Sequence, residues 1–590
     1  MNYGQDGQSD RRRVFLSNGF TGAIESDGSI EWFPCPKFDA PSIFSRILDH
    51  VGGGHFSLRP ESKYRLKTSY IDHTLIVRNI FRTGRGKLES IDFLPIGNTG
   101  IVRLYESTVP FIADINPIFN YGMINPGIGY GERGITFKNA GSNEGLEVSI
   151  NGKYEVMEDG MLRMAPGKGS IFALYSKDLR YGLFSNSGFV YPEPYDALIK
   201  AKGYWRAQLR IARKVSIFKE AYGRSVAVIL GLMYLPSGAV IAAPTTSLPE
   251  IIGQGRNWDY RYVWIRDAAY AAEALVSIGY ILKARRIINF LVSVLDPSSK
   301  SFNHPLYSID GTSPPPEEKM EWLSGNHGSK PVRVGNSAYV QSQMDTEGAF
   351  MDALYTYISR NNDVTYALEN WWAVEAIIEW TGNSWKLPST SLWEEREVVK
   401  HFVHTKVMQW VVADRASKIA RMVGYSEVAR KMESLRECIK EDVIRNGFSK
   451  AENTFTRYYG SKEVDAALLT LPLYGFIDAK DPMFLSTLKR IERDLVVGDG
   501  LVLRYTADSM GRVIYPFTLL STWLARVYIR LGERKKAEGV LRALIRNSTD
   551  QLLFAEHVDP KTREPRGNFP QLFPHAGLVQ AVSELDSDAK

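Results

Sequence analysis

The chain has 590 residues, of which 44% are hydrophobic and 23% charged, and a formal net charge of +6. Such a composition excludes a disordered chain, and the length exceeds what one hydrophobic core usually covers, so two or more domains are expected. The charge is mild and no basic run exceeds Arg11-Arg12-Arg13, which argues against a nucleic-acid binder.

The opening MNYGQDGQSDRRR is polar and lacks the apolar core of a signal peptide, and no later apolar stretch reaches the roughly 18 residues a membrane span needs. The two cysteines, Cys35 and Cys438, lie far apart, so no disulfide framework is expected and a reducing, cytoplasmic setting is. From about residue 14 to 210 short alternating segments such as HTLIVRNIF, GKLESIDFL and GSIFALYS are punctuated by Gly, Asn, Asp and Pro. Period-two alternation of that kind predicts an antiparallel β-sandwich, assigned to residues 1–215. Within it the glycine-rich piece Asn125 to Gly134 is read as a turn, because no helical pattern follows it as a nucleotide loop would require.

After Leu235 to Glu250 apolar residues recur at three and four, as in Ala271, Ala274, Leu275 and Ile278, which predicts a helical domain over 216–590. About a dozen helices are expected there, among them 258–280, 345–361, 394–423, 425–445, 516–532 and 534–547. No fixed-period repeat supports a solenoid, leaving a closed α/α toroid or an irregular helical domain.

Three segments carry candidate chemistry. In GRNWDYRYVWIRDAAY, Gly255 to Tyr270, Arg266 and Asp267 read either as a clamp for a polyhydroxylated ligand or as an ion pair at a helix start. In STSLWEER the spacing of Ser391 and Glu394 matches a capping box, while a Glu394 facing a cavity would have the raised pKa of a proton donor. In LLFAEHVDPKT, Glu556 interrupts an apolar, strand-like run, which also suits a strand with one wet face. His401 and His404 lack the further ligands of a metal site and are expected to be structural. Elbow, P-loop and thiol signatures are missing, so paired carboxylates remain.

Together these segments resemble glycoside hydrolase family 15, which contains glucoamylases, glucodextranases and prokaryotic trehalases. The likeness rests on Gly19 to Asp49, APTTSLPE, NWDYRYVWIRDAAY, HFVHTKVMQWVVADRA and GNFPQLFPHAGLV, in the family's order and over nearly the whole chain. It implies a β-sandwich followed by an (α/α)6 barrel, and an inverting hydrolysis that frees β-glucose. It also implies Glu394 as general acid, Glu556 as general base, Arg266, Asp267 and Arg504 gripping the terminal glucose, and Trp264 and Trp393 lining the pocket. Trp258 and Glu395, in the same segments, complete the expected substrate-contacting set.

Neither a cofactor nor a metal is expected; the partner is a small α-glucoside, and homo-oligomerisation is left open. Maltooligosaccharides, in the manner of a glucoamylase, are the first reading, with trehalose as the alternative. A phosphorylase of related architecture and a catalytically silent sugar-binding protein are more remote. One departure stands out: Asp345-Thr346-Glu347-Gly348 replaces the family's D-x-Y-G-E pattern, which puts substrate choice in doubt.

Overall fold

The computed structural model describes residues 10–131, 134–179 and 193–587. Two eight-stranded antiparallel sheets form the N-terminal part. One holds Val14–Ser17, Gly22–Ser26, Ser29–Pro34, His55–Pro60, Phe111–Asn116, Leu162–Met164 and Tyr154–Val156 in that order, with Ser42–Phe44 paired to the side of Ser29–Pro34. The other runs Pro126–Gly131, Gly134–Asn139, Gly145–Asn151, Gly167–Ser176, Gly100–Ser107, Lys87–Phe93, Val77–Thr83 and Tyr64–Tyr70. Inward residues such as Phe33, Phe56, Phe81, Leu88, Ile101 and Leu146 are fully buried between the sheets, as alternation requires. The segment read as a turn forms the hairpin of Pro126–Gly131 and Gly134–Asn139, with Glu132 and Arg133 outside the described residues.

The C-terminal part is a ring of helical hairpins. Its inner members are α1 (Ile265–Ser277), α2 (Thr346–Asn361), α3 (Val403–Met422), the 3-10 turn Ala466–Thr470, α4 (Thr518–Arg530) and α5 (Leu572–Ser587). Each packs on the next, and α5 returns to α1, which closes the barrel. Outside lie Lys219–Gly231, Ile281–Val294, the pair Val364–Glu369 and Trp371–Ser384, then Ser426–Gly447, Pro482–Asp494 and Arg534–Arg546. Twelve helices are thus found from residue 219 onward among the described residues, but one inner place is held by a short 3-10 turn and one outer place by two helices.

Inner and outer helices differ in sequence for a physical reason. Outer Arg534–Arg546 buries only Ala537, Val540, Leu541, Ala543 and Leu544, one stripe at helical spacing. Inner α1 is enclosed on all sides, and Ala268, Ala269, Ala271, Ala272 and Ala274 are all fully buried, so small side chains let its neighbours approach.

Two expected helices start late. The one expected over 258–280 begins at Ile265, because Val263–Trp264 is extended and pairs with Leu306–Tyr307. The one expected over 394–423 begins at Val403, since Lys400 bridges to Ser389 and Phe402 to Tyr458 in extended conformation. The extended stretch before α1 is pinned to the sandwich. Arg261, fully buried, is held by both oxygens of Asp259 at 2.9 and 2.6 Å and donates to Ala40 O and Tyr121 Oη at 2.9 Å each. Trp32 Nε1 donates to Pro244 O at 2.6 Å. Alternation then turns Tyr260 to the opposite side, toward the barrel axis.

Candidate active site

The inner helices α1, α4 and α5 begin at one end of the ring, and a pocket opens there. Its wall includes Arg266 and Asp267 from the start of α1, Phe517 and Leu519 from the start of α4, and Gln571 and Phe573 from the start of α5. Helix N-termini converging on one space supply partial positive charge, which favours carboxylates there. Tyr260, Trp264, Trp393, Glu394, Arg504 and Glu556 line the same pocket. Seven of the nine residues expected from sequence therefore meet in one place.

Glu394 occupies a turn, and the capping-box reading falls: Ser391 Oγ accepts from Trp393 N at 3.2 Å and Ser391 O from Glu394 N at 3.0 Å, with no helix beginning there. Its backbone is left-handed, φ +59°, a conformation that costs a non-glycine residue about 1 kcal/mol or more. Gln341 Nε2 holds its carbonyl at 3.2 Å. Three donors converge on one carboxylate oxygen, Oε1: Trp264 Nε1 at 2.6 Å, Gln343 Nε2 at 3.1 Å and Arg266 Nη2 at 3.4 Å. About 20% of the side chain stays open, whereas Glu556 keeps 3%. Burial pushes the Glu394 carboxyl above the ordinary carboxylate range, against the opposing pull of Arg266 and the two hydrogen bonds from Gln343 and Trp264.

Glu556 sits one residue before the bridge His557–Val558 and accepts from Tyr260 Oη through Oε1 at 2.8 Å. Its Oε2 has no hydrogen-bond partner. Burial, with the like charge of Glu250 next, raises it to about 8, and Arg504 opposes. The two carboxylates are thus held by residues four apart on one extended stretch, Tyr260 and Trp264, whose rings meet edge to face at 5.4 Å.

Arg266 pairs with Asp345, not with its neighbour Asp267: its Nη1 donates to Asp345 Oδ2 at 2.9 Å and to Gln343 Oε1 at 3.0 Å. Asp267, buried in the first turn of α1, is raised to about 8, by burial first and with Arg266 opposing. Trp393 is fixed by Asp465, which accepts from its Nε1 at 2.9 and 2.8 Å.

Trp258 and Glu395 lie off the pocket wall. Trp258 Nε1 donates to Glu250 Oε1 at 3.1 Å, and the guanidinium groups of Arg333 and Arg396 lie over its ring, 4.5 and 4.8 Å from the centroid. Glu395 is bound to Arg457 Nη2 at 2.7 Å and Ser509 N at 3.1 Å, so it orients the wall from behind. The departure at 345–348 divides: Asp345 holds Arg266, while Glu347 is buried at the start of α2, accepting from Thr346 Oγ1 at 3.0 Å and Phe302 N at 3.4 Å. His401 stacks on Tyr459, and burial pushes His404 down to about 4.

Sequence reasoning missed Tyr260, Gln343, Asp345, Glu250 and His557. The one legible signal was alternation, which puts Tyr260 and Trp264 on the same side of an extended stretch. Glu250, Glu556 and His557 bring one oxygen or nitrogen each within 4.8 Å of the others. Arg504 Nη2 already donates to Glu250 at 2.8 Å, so a divalent cation there would face a guanidinium.

Gly567 gives a direct test of whether the position of Glu556 matters. Its φ is +77°, and a Cβ there would stand 2.7 Å from Glu556 Oε2 and 3.0 Å from Glu556 Cβ. Gly567→Ala is expected to displace the carboxylate and lower kcat by ~10²-fold, the scale that an ångström of misplacement brings. Steady-state kinetics beside a thermal melt check it; an unchanged kcat would show that the position of Glu556 does not matter.

Among the described residues no helix is long and apolar enough to cross a membrane. The protein named Trehalase 2 of Sulfolobus acidocaldarius is 53% identical over 573 residues, covering 97% of this chain and 99% of its own. Trehalase 1 of the same organism is 41% identical, covering 97% and 98%, and the trehalase of Thermoplasma acidophilum 33% identical, covering 95% and 98%. A crystal structure of a bacterial glucoamylase complexed with acarbose superposes with a TM-score of 0.73 at 14% identity, covering 100% of this chain and 96% of its own, which is a likeness of fold. A family model for the trehalase-like N-terminal domain matches residues 2–170. The model of glycosyl hydrolases family 15 matches residues 216–583, well over half of the chain, and the chain therefore belongs to that family and is an O-glycosyl hydrolase.

Proposed function

We propose that the chain is an α,α-trehalase in which Glu394 is the acid and Glu556 the base. The observation that carries the substrate is 53% identity across 97% of the chain to a protein named Trehalase 2, with the N-terminal part included in the match. This reverses the order of the sequence-based expectation, which put maltooligosaccharides before trehalose.

In the proposed reaction Glu394 gives its proton to the oxygen between the two glucoses as that bond breaks. Glu556 takes a proton from a water that attacks the anomeric carbon from the opposite face. The attacked sugar leaves as β-glucose; the other keeps its anomeric C–O bond and leaves as α-glucose. Inversion needs room for the water between the carboxyl groups. The aromatic pair Tyr260 and Trp264, each holding one carboxylate, supports such a separation. Arg266, Asp267 and Arg504 bind the first sugar with forked donors and a buried carboxyl group, and Trp264 and Trp393 give it apolar faces. Trp258 and Glu395 act on it through Glu250 and Arg457.

Glucose release from trehalose, maltose and maltotriose, with the product anomers followed by NMR before they equilibrate, tests the reading. Trehalose is expected to be the preferred substrate and to yield α- and β-glucose in equal amounts. A preference for maltotriose would restore the glucoamylase-type reading, and two α-glucoses from trehalose would exclude inversion.

A further inference from the structure

The carboxylate behind the base, Glu250, takes no part in the proton transfers above. Glu250 is buried, and both its oxygens are engaged: Oε2 accepts from Arg504 Nη2 at 2.8 Å, Oε1 from Trp258 Nε1 at 3.1 Å. His557 Nε2 stands between the two acids, 3.5 Å from Glu250 Oε2 and 3.7 Å from Glu556 Oε1. A small pocket whose wall includes Glu250, Arg256, Arg504, Tyr515 and His557 backs the cluster. Nothing in sugar binding requires a second carboxylate here, since Arg504 could be anchored by any acceptor.

We propose that Glu250 is a positioning residue that sets the protonation state of Glu556, its like charge within 4.8 Å resisting loss of the proton from the base. The inference rests on Glu556 being the base. Two buried carboxylates at that separation titrate as a pair and share one proton before both can ionise. Arg504 decides which one ionises first: its guanidinium contacts Glu250, not Glu556. Burial opposes the Glu250 charge, yet Arg504, His557 and Arg256 outweigh it and hold that carboxyl below its ordinary range. Glu556 faces Glu250, Arg504, His557, Tyr260 and Glu394, and of these only Arg504 carries a fixed positive charge. Glu250 thereby adds to burial in holding the base's proton affinity above that of an ordinary glutamate.

The experiment compares the pH dependence of kcat/KM for trehalose in wild type, Glu250→Gln and Glu250→Asp. The acid limb reports the base of the free enzyme. It is expected to fall by about one pH unit or more in Glu250→Gln, a tenfold gain in the ionised base at a given acidic pH, and to move less in Glu250→Asp, which keeps the charge. An anchor for Arg504 alone would raise KM and leave the limb in place, and an unmoved limb in Glu250→Gln overturns the proposal. Should Glu250→Gln fail to fold, infrared spectroscopy of the wild type follows the protonated carboxyl band that Glu556→Gln removes. Titration of that band in the ordinary glutamate range would equally overturn it. The infrared result does not depend on turnover, so a chain that hydrolyses no trehalose defeats the functional reading without deciding this one.

Discussion

Glu394→Gln is expected to lower kcat on trehalose by about 10²–10⁴-fold while leaving KM within a few-fold of wild type. The amide is isosteric and keeps an oxygen for the donors of Trp264, Gln343 and Arg266, so the turn around residue 394 and the pocket should survive. What it loses is the proton. The departing glucose of trehalose is a poor leaving group without one, whereas fluoride leaves unaided, so hydrolysis of α-glucosyl fluoride by the variant should approach the wild-type rate. Equal losses on both substrates would mean that Glu394 organises the pocket but donates nothing. The wild-type profile should also lose activity as pH rises through the Glu394 value, because the acid works only when protonated and burial extends that form upward.

Glu556→Ala is expected to lose as much, for the complementary reason. Without a base the attacking water keeps its proton, and the cavity left by the side chain admits a small anion that needs no deprotonation. Azide added to this variant with α-glucosyl fluoride should restore turnover and give β-glucosyl azide, the anomer that attack from the base's side produces. Glu394→Gln should show no such rescue. An α-azide would indicate a covalent intermediate and overturn the inverting reading. As the proposed base Glu556 must ionise to work, so the acid limb of the wild-type profile is expected to report it, and its elevation to about 8 predicts that limb at unusually high pH for a carboxylate.

Architecture was legible because burial repeats locally. A strand with one core face alternates every second residue, as in Val77–Thr83, and an outer helix such as Arg534–Arg546 shows its stripe at three and four. Helix starts were less legible. Ser391 and Glu394 have the spacing of a cap, but a serine hydroxyl can equally bond the amide two residues on in a turn, as Ser391 does to Trp393, so the motif cannot distinguish the two. The extended bridges of Lys400 and Phe402, made to residues elsewhere in the chain, delayed α3 to Val403. Trp258 and Glu395 carry the right chemistry for a sugar site, yet their ion-paired neighbours Glu250 and Arg457 draw them behind the wall.

By itself the sequence determined a β-rich first domain, a helical second one and the survival of paired carboxylates as candidate chemistry, because these follow from periodicity and residue type; the closed ring was implied only by the family resemblance. Tertiary structure decided which carboxylates meet and what each faces. Trp264 reaches Glu394 across 130 residues and Tyr260 reaches Glu556 across 296. Contacts of that range leave no local pattern, and a carboxyl's proton affinity depends on the charges and burial that closing the ring places around it.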